Sequence, residues 1–174
     1  MSGKRHRVAV IGGTGYGGAE MIRRVLFHPN LELVRVTAVD HVGAKVGDVH
    51  LNLRGLTDLT FEQVAAAEAA KEADVVLLAM PHRVTAKVAQ ELFPLGRTIV
   101  DMSGDFRLTS AADYERSYGA SHPCPEELGS FVYGLPELNR DKLRGAKRVA
   151  SPGCFATAIA LGLLPLARAG LLNG

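Results

Sequence analysis

Arg7-Val8-Ala9-Val10-Ile11-Gly12-Gly13-Thr14-Gly15-Tyr16-Gly17-Gly18-Ala19-Glu20 is the stretch whose reading decides the fold. It opens as a short apolar strand, Arg7 to Gly12, and turns through closely spaced glycines. It then enters Tyr16 to His28, where Met21, Ile22, Val25 and Leu26 recur at helical spacing on one face. Pro29-Asn30 closes that helix. The glycines at 12, 15 and 18 fit a G-x-x-G-x-x-G pattern, with further glycines at 13 and 17. Without a Cβ the backbone can approach a pyrophosphate, and the helix N-terminus supplies N–H donors. A strand before the loop and a helix after it are the context this chemistry requires. Gly12, Gly13, Thr14, Gly15, Tyr16, Gly17 and Gly18 are therefore the candidate cofactor-binding residues. A tight turn without a ligand is the competing reading. No Lys-Ser/Thr follows the loop, which argues against a P-loop nucleotidase.

Working outward, Leu31 to Val39 reads as a second strand ending at Asp40, about 20 residues beyond the glycines. An acid there hydrogen-bonds a ribose 2′-hydroxyl and repels a 2′-phosphate, so on that rule alone the cofactor is NAD. Arg35, His41 and Lys45 stand close enough in sequence to offset the repulsion. Val42 to Asp58 reads mostly as loop. Thr60-Phe61-Glu62-Gln63 matches a capping box that opens a short helix to Ala70. Asp74 to Met80 is continuously apolar after its Asp, as in a strand buried on both faces. Val84 to Phe93 reads as a helix, Arg97 to Asp101 as a strand and Lys147 to Ser151 as a late strand. Strands alternating with helices predict an α/β fold, a Rossmann-like doubly wound parallel sheet. Ligands of such sheets gather at the carboxyl ends of the strands, where Gly12, Asp40, Pro81, Asp101 and Ser151 fall.

Ser151-Pro152-Gly153-Cys154-Phe155-Ala156-Thr157 follows the late strand directly. It sets a thiol behind a Pro-Gly turn, at the mouth of an apolar run free of breakers until Pro165. Unpaired N–H groups and the positive end of the helix dipole face such a sulfur, and the thiolate is the nucleophile. Cys154 is the candidate catalytic residue. A thiol and a dinucleotide in one chain suggest acyl transfer to sulfur followed by hydride reduction to an aldehyde, with the N–H groups after Cys154 holding the oxyanion. Cys124, in His122-Pro123-Cys124-Pro125, has no helix entry and reads as a bystander. Ser103 and Arg107 are candidates to hold a phosphate or carboxylate, against plain loop capping. His82 is a weak candidate base and His122 is left open. No cluster has metal-ligand spacing.

The whole chain fits this picture. It has 174 residues, 47% hydrophobic and 22% charged, with net charge +2. That is ordinary for a globular protein and too mild to argue for nucleic acid. No apolar run approaches the roughly 18–20 residues of a membrane span, and the basic start leads into a strand rather than a signal-peptide core. Two cysteines without tight spacing argue against a disulfide framework, and a cytoplasmic location is expected.

Four segments together resemble the N-acetyl-gamma-glutamyl-phosphate reductase family. They are the Gly12–Glu20 loop, Val100-Asp101-Met102-Ser103-Gly104-Asp105-Phe106-Arg107-Leu108, Val132-Tyr133-Gly134-Leu135-Pro136-Glu137, and Val149 to Ala158 around Cys154, continuing to Gly162 and Pro165. The resemblance implies NADPH-dependent reduction of an acyl phosphate to a semialdehyde in arginine biosynthesis, with Cys154 forming the thioester. A related reductase of aminoadipyl or aspartyl phosphate, or a non-catalytic nucleotide-binding half-protein, are the alternatives. Asp40 departs from the small polar or basic residues of the family. Family members are longer and carry a general acid/base histidine later in the chain. The resemblance therefore implies a dinucleotide-binding domain over 1–150 and, over 151–174, the start of a second catalytic and dimerisation domain. It also implies an N-terminal portion that is inactive alone and a homo-oligomer at full length.

Overall fold

The computed structural model describes residues 4–172. In chain order the elements are β1 (His6–Ile11), α1 (Tyr16–Leu26), β2 (Leu31–Thr37), α2 (Val46–Val49), β3 (Phe61–Glu62), α3 (Ala66–Ala69), β4 (Val75–Leu78), α4 (Val84–Leu92), β5 (Thr98–Asp101), α5 (Ala111–Tyr118), β6 (Val132–Tyr133), α6 (Pro136–Leu143), β7 (Arg148–Ala150) and α7 (Cys154–Arg168). The seven strands form one sheet in the order β3-β2-β1-β4-β5-β7-β6, and every ladder is parallel. This is the doubly wound sheet that the alternation predicts.

Period-two alternation explains the double winding. Val8 and Val10 of β1 pack with Ile22 and Val25 of α1 and with Val36 and Phe61. Ala9 and Ile11, on the other face, pack with Val76 and Leu78 of β4 and with Ala86, Ala89 and Leu92 of α4. A strand buried on both sides is apolar throughout, which is why β1 and β4 are legible as unbroken apolar runs. The chain leaves β1 outward to β2 and β3, then returns to β4 on the other side of β1. The turn after β1 therefore lies at the topological switch point.

Three expectations are corrected. Thr60-Phe61-Glu62-Gln63 does not cap a helix: Phe61 and Glu62 form the edge strand β3, paired with Val36 and Thr37. Phe61 is fully buried, packed edge-on to His50. Burying a phenylalanine contributes about 1.5–3 kcal/mol, whereas a cap contributes about 1 kcal/mol, so the side chain takes the segment into the sheet. The helix that follows is only Ala66–Ala69, and its cap, Ala65, supplies no side-chain hydrogen bond. Within the expected loop Val42–Asp58, α2 and a 3-10 turn at Leu51–Leu53 form because Val46 and Leu53 reach the core. The last helix passes through Pro165 to Arg168, and its final turn is closed by Ala169 N–H donating to the Pro165 carbonyl.

No helix among the described residues is long and apolar enough to cross a membrane.

Candidate dinucleotide and thiol site

The Gly12–Gly18 turn is built by contacts that divide its glycines into two kinds. Gly12 has φ +90, open to glycine at little cost, and a Cβ there would stand 2.7 Å from the Ala79 carbonyl oxygen. A Cβ on Gly18 would stand 2.4 Å from the Gly12 carbonyl oxygen and one on Gly13 2.2 Å from Val36 Cγ1. These three let α1 pack against the strand tips. Gly15 is different: a Cβ there would meet nothing within 4 Å. As the cap of α1, Gly15 has no side chain to accept a hydrogen bond. The N–H groups of Tyr16, Gly17 and Gly18 have no intrahelical acceptor either. The open ground is thus over Gly15 and the first turn, where backbone donors and the positive helix end coincide. Tyr16 stands out from the turn, almost wholly exposed.

Two anchors set the loop. Gly12 N–H and Gly13 N–H both donate to the Thr37 carbonyl at the tip of β2, each at 2.9 Å. His50 Nε2 donates to the Gly13 carbonyl at 2.8 Å. His50 is a positioning residue that the sequence reading did not single out; it lies in a stretch read as loop, and no local pattern marks it. Asp40 lies three residues past Thr37, exposed, with no hydrogen bond or ion pair among the described residues.

Cys154 is the first residue of α7, directly behind Gly153, and is exposed. Gly153 gives α7 no side-chain cap, so the N–H groups of Cys154, Phe155 and Ala156 are left for a ligand, while Thr157 N–H and Oγ1 both donate to the Gly153 carbonyl. Arg107 fixes this turn. Its Nε donates to the Ser151 carbonyl at 2.8 Å and one terminal nitrogen to the Met102 carbonyl at 2.9 Å. Its other terminal nitrogen would stand 3.0 Å from a Cβ at Gly153. Ser151 N–H donates to the Asp101 carbonyl at 2.7 Å, joining the turn to the tip of β5.

The remaining candidates separate clearly. Ser103 is buried, its hydroxyl donating to Asp101 Oδ2 and accepting from Asp105 N–H, so it caps the loop and has no reach to a ligand. Asp101 is wholly buried, and desolvation pushes its carboxyl up to about 6 against the two bonds from Ser103. Asp105 accepts from Arg83 N–H, Ala86 N–H and the Tyr114 hydroxyl, and so caps α4 from a distant loop. His122 is buried: its Nε2 donates to the Asp105 carbonyl and its Nδ1 accepts from Cys124 N–H. His82 Nδ1 accepts from Gly104 N–H. Cys124 is buried beside the Ala86 carbonyl, and desolvation raises its thiol to about 11. No group of three or more His, Cys, Asp or Glu able to hold a metal occurs among the described residues.

The glycine turn and Cys154 both lie at the carboxyl edge of the sheet. Between β1 and β7 stand only β4 and β5, a lateral separation of about 14 Å at the usual strand spacing. A family model described as semialdehyde dehydrogenase, NAD binding domain, matches residues 7–146.

The chain belongs to that family.

Among its relatives, the [LysW]-L-2-aminoadipate 6-phosphate reductase of Deinococcus radiodurans is 49% identical over 172 residues, 99% of this chain and 49% of that protein. An N-acetyl-gamma-glutamyl-phosphate reductase of Saccharophagus degradans is 41% identical over 96% of this chain and 48% of its own length. This semialdehyde dehydrogenase family chain thus spans about half the length of the curated relatives it matches. Aspartate semialdehyde dehydrogenase II of Vibrio cholerae superposes with a TM-score of 0.67 at 15% identity, over 95% of this chain and 47% of that one. The Candida albicans enzyme, solved with NADP, gives 0.61 at 14% over 97% and 48%. These two similarities speak for the fold. The chain is an NAD(P)-binding domain of the α/β class.

Proposed function

We propose that this domain serves the reduction of N-acetyl-glutamyl phosphate to the semialdehyde, with release of phosphate, through a thioester on Cys154. The observation that carries the reading is the placement of the thiol-bearing helix start and the glycine turn on one sheet edge, with β4 and β5 between them. The family match ends at residue 146, so the role of Cys154 rests on this geometry and on the resemblance of Val149–Ala158.

The residues present fit a dinucleotide. The pyrophosphate would take the first-turn N–H groups over Gly15, with Gly12, Gly13, Thr14, Tyr16, Gly17 and Gly18 framing it. A bound reduced nicotinamide supplies a hydride. The protein's own groups do the rest. The Cys154 sulfur attacks the acyl carbon, the carbon–oxygen bond to phosphate breaks, and phosphate leaves with that electron pair. The N–H groups of Cys154, Phe155 and Ala156 receive the developing oxyanion. After hydride addition the carbon–sulfur bond breaks and the thiolate returns. Neither nitrogen of His122 is free to move a proton in these steps.

Residues 1–150 are then the cofactor domain and 151–174 the start of a catalytic one. In support, α7 has no buried residue, and Phe155 and Ile159 on it are 83% and 60% exposed, as in a helix that packs against an adjoining domain. A second reading, favoured by the 49% identity to the Deinococcus protein, takes an aminoadipyl phosphate one methylene longer. Intact-mass analysis of the chain with each acyl phosphate tests both. One acyl adduct is expected in the wild type and none in Cys154→Ala; an adduct that persists undiminished in Cys154→Ala contradicts the thioester.

A further inference from the structure

We propose that Asp40 makes this domain select NADH over NADPH. The inference rests on the dinucleotide reading above and goes beyond the family match, whose description names NAD and assigns no residue that would select it over NADP.

The position is fixed by the backbone. The Thr37 carbonyl holds both Gly12 and Gly13 N–H, so the tip of β2 is locked to the phosphate turn. Ala38 N–H donates to the Glu62 carbonyl and Gly43 N–H to the Phe61 carbonyl, which clamps the following bend to β3 from both sides. His41 holds a left-handed φ of 56 inside that bend, and Ala44 N–H closes it on the His41 carbonyl. Val39 and Asp40 are thereby presented at the carboxyl end of β2, beside the glycine turn. This is where a doubly wound sheet receives the adenosine ribose.

The chemistry of that spot suits a 2′-hydroxyl and not a 2′-phosphate. Asp40 is exposed and has no hydrogen bond or ion pair among the described residues, so both carboxylate oxygens are open to accept from a ribose. A 2′-phosphate brings about −1.5 to −2 charges at neutral pH and needs cations or donors. The neighbouring cations are engaged elsewhere. The Arg35 guanidinium pairs with Glu62 at 3.3 Å and donates to the Glu68 carbonyl at 3.0 Å, and Lys45 pairs with Asp58 at 3.0 Å. Ala38 and Val39 carry no donor. His41 is the one polar side chain directly beside Asp40 in the bend.

The test is titration of the full chain with NADH and with NADPH, read by the fluorescence of the reduced nicotinamide, for the wild type and Asp40→Asn. Asp40 is exposed, so the variant keeps the fold. The expected result is NADH binding at least about tenfold tighter in the wild type, with the ratio falling to within about threefold in Asp40→Asn because NADPH gains affinity. Raising salt is expected to narrow the wild-type ratio through NADPH and to leave the variant's unchanged. Equal or tighter NADPH binding by the wild type overturns the proposal, as does a preference that survives Asp40→Asn intact; both leave the dinucleotide reading standing. Binding of neither cofactor overturns that reading and this one with it.

Discussion

Alanine at Gly18 places a Cβ 2.4 Å from the Gly12 carbonyl oxygen and 2.7 Å from Gly13 Cα. Both are backbone atoms of a turn that Thr37 already pins, so neither can swing aside. Overpacking of this kind costs about 1–3 kcal/mol, and here the upper part of the range applies. Alanine's better helix propensity returns up to about 1 kcal/mol. A net loss of about 2 kcal/mol lowers Tm by about 4–8 °C in a chain of this length. Gly15→Ala is the matched control. Its φ of −76 suits alanine and its Cβ meets nothing, so loss of the glycine cap costs at most about 1 kcal/mol. That methyl group stands where the pyrophosphate is proposed to lie, so affinity for a dinucleotide is expected to fall about tenfold or more, through the lost backbone approach. Melting followed by circular dichroism, paired with cofactor titration, separates the two effects. A Gly18→Ala chain that melts with the wild type refutes the packing argument. A Gly15→Ala chain that binds like the wild type refutes the placement of the phosphates.

Other outcomes follow from the same geometry. Asp101 has its carboxyl raised from 3.8 to about 6, so between those values the folded chain holds more protons and stability falls as pH rises, by about 3 kcal/mol in all. Asp101→Asn removes the buried charge and keeps an Oδ1 acceptor for Ser103 N–H, while its amide nitrogen can only donate toward the Ser103 hydroxyl that the carboxylate accepts from. That lost bond is a pH-independent offset, so the wild-type-minus-variant stability difference should decline from pH 4 to 6.5 and stay flat above, and a constant difference in thermal melts would count against it. Phe61→Ala is expected to destabilise by about 3–5 kcal/mol and Gln63→Ala by less than about 0.5 kcal/mol; comparable losses from both in urea unfolding would restore the capping box. Iodoacetamide is expected to modify exposed Cys154 well before Cys124, which is buried with its thiol at about 11; peptide mapping that finds Cys124 first sinks the assignment.

How much of this was legible in the sequence depends on whether the deciding contact was local. The glycine turn was legible because its neighbours in sequence, an apolar strand and an amphipathic helix, are also its neighbours in space. The place of Cys154 at the start of a helix was legible for the same reason. The pattern [ST]-x-x-[DEQ] shows the limit. At Ser110–Asp113 it does cap a helix, with Ser110 Oγ accepting from Asp113 N–H. At Thr60–Gln63 the same pattern is overruled by the burial of Phe61 against β2. Nothing within four residues distinguishes the two. The strands β3 and β6 have two residues each, too few for any period. Asp105 reads as one more loop acid, yet it caps a helix that begins some twenty residues earlier in the chain, a contact only the fold creates. Ser103 read as a ligand candidate because its neighbours Asp101 and Asp105 could not be known to consume its hydroxyl.

The most direct test of the carboxyl-edge site is a ¹⁵N–¹H spectrum of the full chain titrated with NADH. Shifts are expected at Gly12–Gly18, Asp40 and the Cys154–Ala156 amides, while Arg97 and Lys147 at the amino ends of the strands stay still. Shifts confined to those amino-end residues, or none at saturating NADH and NADPH, would contradict a site shared by the glycine turn and the thiol.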